Sequence, residues 1–221
     1  LDKTTIIANE HQLFTILNEI YHTKIEYAHL YKVLNFDELI EEFKANQLQL
    51  LIEDNINIAC AKIRISLAQY QQKKSKNDIK MLIEKVLKEQ NIIISDSLSF
   101  KSLYQIIQIT SISSAQKFDY YNIEPFLVDS YSIIQNHKSK DKQLYYHIEV
   151  LYLIANVLFR NKKFTESIKY LEFMNFYMKE KKNKYYSDFA SNYSLLLGLN
   201  LNYKNQQEKA ISILEPFTSK K

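Results

Sequence analysis

The segment ANVLFRNKKFTESIKYLEFM, residues 155–174, is the stretch of this 221-residue chain that decides the fold. Apolar residues at positions 148, 151, 152, 155, 158 and 159 follow the i, i+3, i+4, i+7 spacing of one helix face. Positions 164, 168, 171, 174 and 178 repeat that spacing. Only the polar tetrapeptide RNKK separates the two stripes, so we expect two helices that fold back on each other as an antiparallel hairpin.

The hairpin recurs in GLNLNYKNQQEKAISILEPF, residues 198–217. Gly198 lies 43 residues after Ala155, as Ala210 does after Ser167, Leu214 after Leu171 and Phe217 after Met174. Small residues thus recur where two helices approach most closely, and bulky ones where the stripe is buried. Self-similarity at a fixed period is the signature of a helical repeat array.

A weaker copy of the hairpin precedes these two. The same interval aligns Ile112 with Ala155 and Tyr121 with Phe164, and it places Val128 and Tyr131 at the next two positions of the second helix. Ile112 is bulky where a small residue is expected. A further pair, over about residues 51–71 and 77–90, keeps the helical spacing without the 43-residue register.

The composition favours helices joined by short polar turns. The chain contains one glycine and two prolines, whereas sheets and phosphate loops need glycine at turns and bulges. The only strand-like run, NIIISDSL at residues 91–98, is predicted to link two hairpins. We therefore predict an all-α fold, an α-solenoid of antiparallel hairpins without a sheet. Residues 1–48 would form an N-terminal helical segment or cap, and residues 49–221 about four helix pairs.

At these positions the chain resembles the tetratricopeptide repeat (TPR) family, best over residues 144–217. Ala155 and Gly198 match the small residue of the family's first helix, and Ser167 and Ala210 match that of its second helix. The chain lacks the tryptophan near the start of the repeat and the closing proline, and its period exceeds the family's 34 residues. The resemblance implies a TPR-like superhelix that binds a protein or peptide on its concave face.

The resemblance also implies which residues line that face. On the helix centred at Ala155 they are Tyr152, Asn156 and Arg160, with Asn156 at the position that contacts the ligand backbone. The next repeat offers Asn192, Leu195, Leu199 and Tyr203, and the preceding one Ile109, Gln116 and Lys117. Such a groove would suit an extended peptide with acidic character. In the alternative interpretation, Asn156 bonds a neighbouring helix, and the groove is empty or filled by the N-terminal segment.

Several chemistries have no basis in the sequence. A phosphate loop needs several glycines, and the five histidines form no i, i+4 metal-binding pair. Cys60 lies in an apolar helical stretch, which favours a buried and inert thiol. We therefore expect no enzyme activity, no cofactor and no metal.

The remaining expectations concern partners and location. The net charge of +4 is dispersed, so specific nucleic-acid binding by this fragment is not expected. No apolar run approaches a membrane span, and a single cysteine gives no internal disulfide, which favours the cytoplasm. The predicted function is a non-enzymatic binding scaffold. The alternative is the peptide-sensing portion of a bacterial transcriptional regulator whose DNA-binding domain is not in this chain. A homodimer is a further candidate assembly.

Overall fold

The computed structural model describes residues 2–30, 35–73 and 79–218, and all regular secondary structure within these ranges is helical. The helices are α1 (Asp2–Glu10), α2 (Phe14–Glu26), α3 (Phe36–Lys73), α4 (Ile79–Glu89), α5 (Phe100–Lys117), α6 (Tyr120–Gln135), α7 (Leu144–Arg160), α8 (Phe164–Asn183), α9 (Tyr186–Tyr203) and α10 (Gln207–Thr218), with a 3-10 turn over Ala28–Leu30. The described ranges contain no strand, which confirms the all-α class. Residues 91–98 connect α4 to α5, as predicted.

Consecutive helices pack as pairs: α1 with α2, α3 with α4, α5 with α6, α7 with α8, and α9 with α10. The first helices of successive pairs also touch, because α3 contacts α5, α5 contacts α7, and α7 contacts α9. One continuous hydrophobic core runs from Ile56 on α3 to Leu196 on α9. The predicted hairpin over residues 155–174 therefore corresponds to the tightly packed pair α7 and α8.

The N-terminal helices have a small core of their own, formed by Ala8, Leu17, Tyr21 and Leu39. It joins α1 and α2 to the first part of α3. The helix α3 itself is continuous from residue 36 to residue 73, so it passes through the boundary that we placed between residues 48 and 49. One helix thus belongs both to the N-terminal core and to the main core.

The small residues of the repeat lie at close helix contacts. A Cβ atom at Gly198 would lie only 2.9 Å from side-chain carbons of Leu214, so glycine lets α10 approach α9 closely. Ala155, at the equivalent place in α7, is fully buried. The carbonyl of Ala155 accepts a hydrogen bond of 2.7 Å from Ser167 Oγ on α8. Ser167 is therefore more than a small residue, because its hydroxyl ties α8 to α7.

The same hydroxyl also reaches the next pair. Asn200 Nδ2 on α9 donates to Ser167 Oγ at 3.0 Å and to the carbonyl of Leu196 at 2.8 Å. Both polar side chains are fully buried. A buried polar group is costly unless it is hydrogen-bonded, so these bonds favour one packing of α7, α8 and α9. The Oδ1 atom of Asn200 is buried without a hydrogen-bond partner among the described residues.

Backbone conformation corrects the register of the earlier hairpin. Lys162 and Asn205, 43 residues apart, both have left-handed φ values, 62° and 59°, just after the first helix of their pairs. The corresponding residue after α5 is Phe118, at φ 58°, which lies 44 residues before Lys162. The alignment of Ile112 with Ala155 is therefore wrong by one residue. The true equivalent is Ser111, which is small and buried.

The turns reach left-handed conformations without using glycine. Positive φ values occur at Gln12, Asn91, Phe118, Lys162, Lys182, Asn183 and Asn205. Apart from asparagine, which tolerates this region, an L-residue there costs about 1–2 kcal/mol. Low glycine content thus did not prevent left-handed turns, and the fold carries their cost.

We predict that Lys162→Gly stabilises the protein by about 0.5–1 kcal/mol, because glycine removes the left-handed penalty at the cost of a more flexible unfolded chain. Lys169→Gly is the matched control, since Lys169 is also exposed but lies inside α8. Glycine there should destabilise by a similar amount. Urea unfolding of both variants measures the two effects, and a loss of stability in both would contradict the prediction.

Candidate functional site

Each of the helices α5, α7 and α9 has a side that remains accessible beside the sides that pack against other helices. The residues on these accessible sides are Gln105, Gln108, Ile112 and Gln116 on α5, Glu149, Tyr152, Asn156 and Arg160 on α7, and Asn192, Leu195, Leu199 and Tyr203 on α9. All of them are exposed or half-buried. Since α7 touches both α5 and α9, these three stripes adjoin, and we call the surface that they form the open face.

Hydrogen bonds cross from helix to helix on the α5 side of this surface. Tyr104 OH donates to Glu149 Oε2 at 2.8 Å, and Gln108 Nε2 donates to Tyr104 OH at 2.6 Å. Gln105 Nε2 donates to Asn57 Oδ1 on α3 at 3.0 Å. The polar groups nearest to α3 and α5 are thus largely engaged with one another.

Aromatic contacts join α7 to α9 on the other side. The rings of Tyr145 and Phe189 lie 4.9 Å apart, measured between centroids. Near the opposite end of the two helices, Tyr203 contacts Phe159 at 5.7 Å and stacks on Phe164 at 5.2 Å. Tyr203 therefore helps to position α9 although its side chain remains largely exposed.

The α7 residues predicted from the repeat lie together on the open face. Tyr152 and Asn156 are half-buried and Arg160 is exposed. Within the described ranges, the structure shows no hydrogen bond from the side chain of Asn156 and no ion pair for Arg160, whose guanidinium lies 6.0 Å from the ring of Phe159. Asn192 on α9 likewise makes no hydrogen bond to a described residue. The bond from Asn156 to a neighbouring helix, our alternative interpretation, is not observed among these residues.

The α5 residues were predicted less well. Ile109 is only 2% exposed and belongs to the core, so its assignment to the groove is wrong. Gln116 is exposed on the open face, and the side chain of Lys117 lies outside the described part of the chain. With the corrected 44-residue interval, Gln108 is equivalent to Tyr152, and Ile112 to Asn156. Sequence reasoning could have found Gln108 had the turn at Phe118 been recognised.

The turn between α1 and α2 closes one end of the open face. The backbone N–H of Phe100 donates to Gln12 Oε1 at 2.9 Å, and Gln143 Nε2 donates to the carbonyl of His11 at 2.8 Å. Lys142 and Glu10 form an exposed ion pair at 2.9 Å. These contacts lie at the N-terminal ends of α5 and α7. The N-terminal segment thus reaches the edge of the surface, and its described residues 2–30 make no hydrogen bond with Asn156.

Burial raises the pKa of two tyrosine hydroxyls on and beside the open face. Desolvation raises the pKa of Tyr152, opposed by the positive charge of Arg160. The pKa of Tyr104 is raised strongly, first by burial and then by its hydrogen bond to Glu149. Both phenols therefore stay protonated and remain hydrogen-bond donors near neutral pH. Arg160 and Glu149 are left as a cation and an anion on the same face of α7.

The described residues also bear on metal, thiol and membrane-spanning sites. Among the described residues, no group of three or more His, Cys, Asp or Glu side chains could hold a metal ion. Cys60 is a buried free thiol whose pKa is raised by burial, opposed by Arg64. Across the same ranges, no helix combines the length and the apolar character that crossing a bilayer would require.

Comparison with known proteins gives no match: neither a family model, nor a curated protein, nor a solved structure is significantly similar to this chain.

A histidine on α7 is buried inside the protein. His147 on α7 is fully buried between the rings of Phe100, Tyr131 and Tyr177. Its Nε2 lies 3.2 Å from Tyr131 OH, and its buried Nδ1 has no hydrogen-bond partner among the described residues. Burial lowers the pKa of His147 from 6.5 to about 4, with a further contribution from the charge of Lys140. The imidazole is therefore neutral in the folded protein at pH 7.

The pKa of His147 is lower in the folded protein than in the unfolded chain. As the pH falls, His147 is therefore protonated first in the unfolded chain, which stabilises the unfolded state. We predict that His147 costs the protein about 2 kcal/mol of stability between pH 7.5 and pH 5.0. Urea unfolding of wild type and His147→Gln at these two pH values tests this. Between pH 7.5 and pH 5.0, the free energy of unfolding should fall by about 2 kcal/mol less in the variant than in wild type.

His29→Gln is the control, since His29 is exposed. It should show the wild-type dependence on pH. An equal pH dependence for His147→Gln and wild type would show that His147 does not contribute.

Proposed function

We propose that this chain is a non-enzymatic scaffold whose helix pairs form a TPR-like solenoid and whose open face binds an extended segment of a protein partner. The observation that carries the proposal is the set of unpartnered polar groups on this surface. Asn156, Asn192 and Arg160 lie on adjacent helices, and within the described structure none of them has a hydrogen-bond or ion-pair partner.

The solenoid arrangement is supported by the order of helix contacts. The first helices α3, α5, α7 and α9 touch in succession, and each is followed by its own partner helix. Ser111, Ala155 and Gly198 recur as buried small residues in α5, α7 and α9. Stacked pairs of this kind bury a continuous core and present their first helices on one surface.

The chemistry of the surface favours a peptide as the ligand. An asparagine amide offers both a donor and an acceptor, so it can bond to the N–H and the C=O of an extended backbone. Asn156 and Asn192 provide two such amides on neighbouring helices. The half-buried amide of Asn156 carries most weight, because it is partly shielded from water and still has no hydrogen-bond partner among the described residues.

Apolar residues and charges define the side chains that such a peptide would carry. Leu195 is 54% exposed and Leu199 is 37% exposed, so both can pack against apolar side chains of a ligand. Arg160 would pair with a carboxylate, and Glu149 with a polar or basic group. These two charges are 11 residues apart on α7, about 16 Å, which corresponds to roughly five residues of extended chain.

The test begins with selection of peptides from a random displayed library on the wild-type protein, followed by affinity measurement by fluorescence anisotropy. We expect Asn156→Ala and Arg160→Ala each to weaken binding of the selected acidic peptide by about tenfold, the effect of losing one hydrogen bond or ion pair of about 1.4 kcal/mol. Lys169→Ala is the control, because it removes an exposed cation from α8, away from the open face.

Circular dichroism should show that the variants retain the wild-type helix content. If the selected peptides bound the two open-face variants as tightly as wild type, or if selection enriched no peptide, the assignment of the open face would be wrong.

A further inference from the structure

The second half of α3 exposes a row of large apolar side chains. Leu48, Leu51, Ile58 and Ile65 are 57%, 56%, 45% and 59% exposed. Leu51, Ile58 and Ile65 are separated by seven residues, so they form a straight stripe along one side of the helix. We call these four residues the α3 seam. It lies opposite the buried residues Ile56 and Ile63.

The neighbours of α3 account for its other surfaces. The helix α2 packs on the first part of α3, where Asn46 Nδ2 donates to the carbonyl of Phe14. The helices α4 and α5 pack on the buried side, as the ion pair between Lys62 and Glu89 and the hydrogen bond between Asn57 and Gln105 show. Helix contacts within the described ranges thus leave the seam uncovered. From residue 48 to residue 68, it spans about 30 Å.

We propose that the α3 seam is the interface of a homodimer in which α3 of a second copy packs antiparallel, centred near Ile58. A seven-residue apolar repeat is the spacing that lets two helices interlock their side chains along their whole contact. An antiparallel two-fold arrangement makes the seam self-complementary. Leu51 faces Ile65 of the second copy, Ile65 faces Leu51 of the second copy, and Ile58 lies next to the axis.

Small residues beside the seam favour close packing. Ala61 and Ala68 are both exposed and follow Ile58 and Ile65 by three residues, on the same side of the helix. A second helix can approach closely over an alanine, because no long side chain stands between the two backbones. The seam therefore offers alternating large and small positions, which suits interdigitation better than a uniformly bulky stripe.

Charges at the edge of the seam set the direction of packing. Asp54 lies in line with Ala61 and Ala68, and Arg64 lies just outside that line on the same side of the helix. Both are exposed, and neither forms an ion pair with a described residue. Antiparallel packing brings Asp54 of each copy close to Arg64 of the other, which creates two symmetric ion pairs. In a parallel pair, the edge that carries Asp54 and Arg64 would face the opposite edge of the second copy, so these ion pairs would not form. The sequence of the seam thus selects the antiparallel arrangement.

The first test is the mass of the protein in solution, measured by sedimentation equilibrium from low to high micromolar concentration. We expect a dimer for wild type and at least tenfold weaker dimerisation for Ile58→Lys, which places two cations beside the two-fold axis. Ile211→Lys is the matched control, because Ile211 is 64% exposed on α10. It should dimerise like wild type. A monomeric wild type, or an Ile58→Lys protein that dimerises like wild type, would overturn the proposal.

The second test fixes the direction and does not depend on weakening the dimer. In a Cys60→Ala background, Leu51→Cys and Ile65→Cys proteins are mixed and oxidised, and circular dichroism confirms their fold. Antiparallel packing predicts disulfide-linked dimers of one variant with the other, and little linkage in either variant alone. Efficient linkage of Leu51→Cys with itself would show parallel packing, and no linkage in the mixture would show that the seam is not the interface.

Discussion

The hydroxyl of Ser167 donates to the carbonyl of Ala155 and accepts from the amide of Asn200, so three helices meet at one buried polar point. The close-packed apolar side chains of these helices resist sliding, but apolar contacts are not directional. Hydrogen bonds in a water-free interior are directional and costly to break. The position of α9 relative to α7 therefore depends on this point. The relative placement of the exposed stripes of α7 and α9 on the open face depends on it in turn.

Much of the C-terminal half could be predicted from sequence because its turns are regular. Lys162 and Asn205 occupy the same left-handed position 43 residues apart, so the interval read from apolar residues is also the interval of the backbone. The interval fails before α7 because the turn after α5 uses Phe118, an aromatic residue that gives no turn signal. That one-residue difference moves Ile109 into the core and places Gln108 on the open face.

The candidate site could be predicted where it follows from helix periodicity, and not where it depends on contacts between distant residues. Periodicity alone puts Tyr152, Asn156 and Arg160 on one side of α7. It does not show that Glu149 is bonded to Tyr104, because that contact joins two helices through specific side-chain lengths. The bond from Phe100 to Gln12 spans 88 residues and has no local signal at all.

Because α3 is unbroken, it forms a rigid connection between the N-terminal core and the main core. Its 38 residues span about 57 Å, and a helix of that length with no interruption behaves as a stiff rod. The α1–α2 hairpin packs on the first arm of α3, where the rings of Tyr21 and Phe43 are in contact. The helices α4 and α5 pack on the second arm, beyond residue 48. Because this rod has no break near residue 48, the hairpin keeps a fixed orientation relative to Leu51, Ile58 and Ile65. The packing of α4 and α5 on the second arm therefore also opposes any tilt of the hairpin.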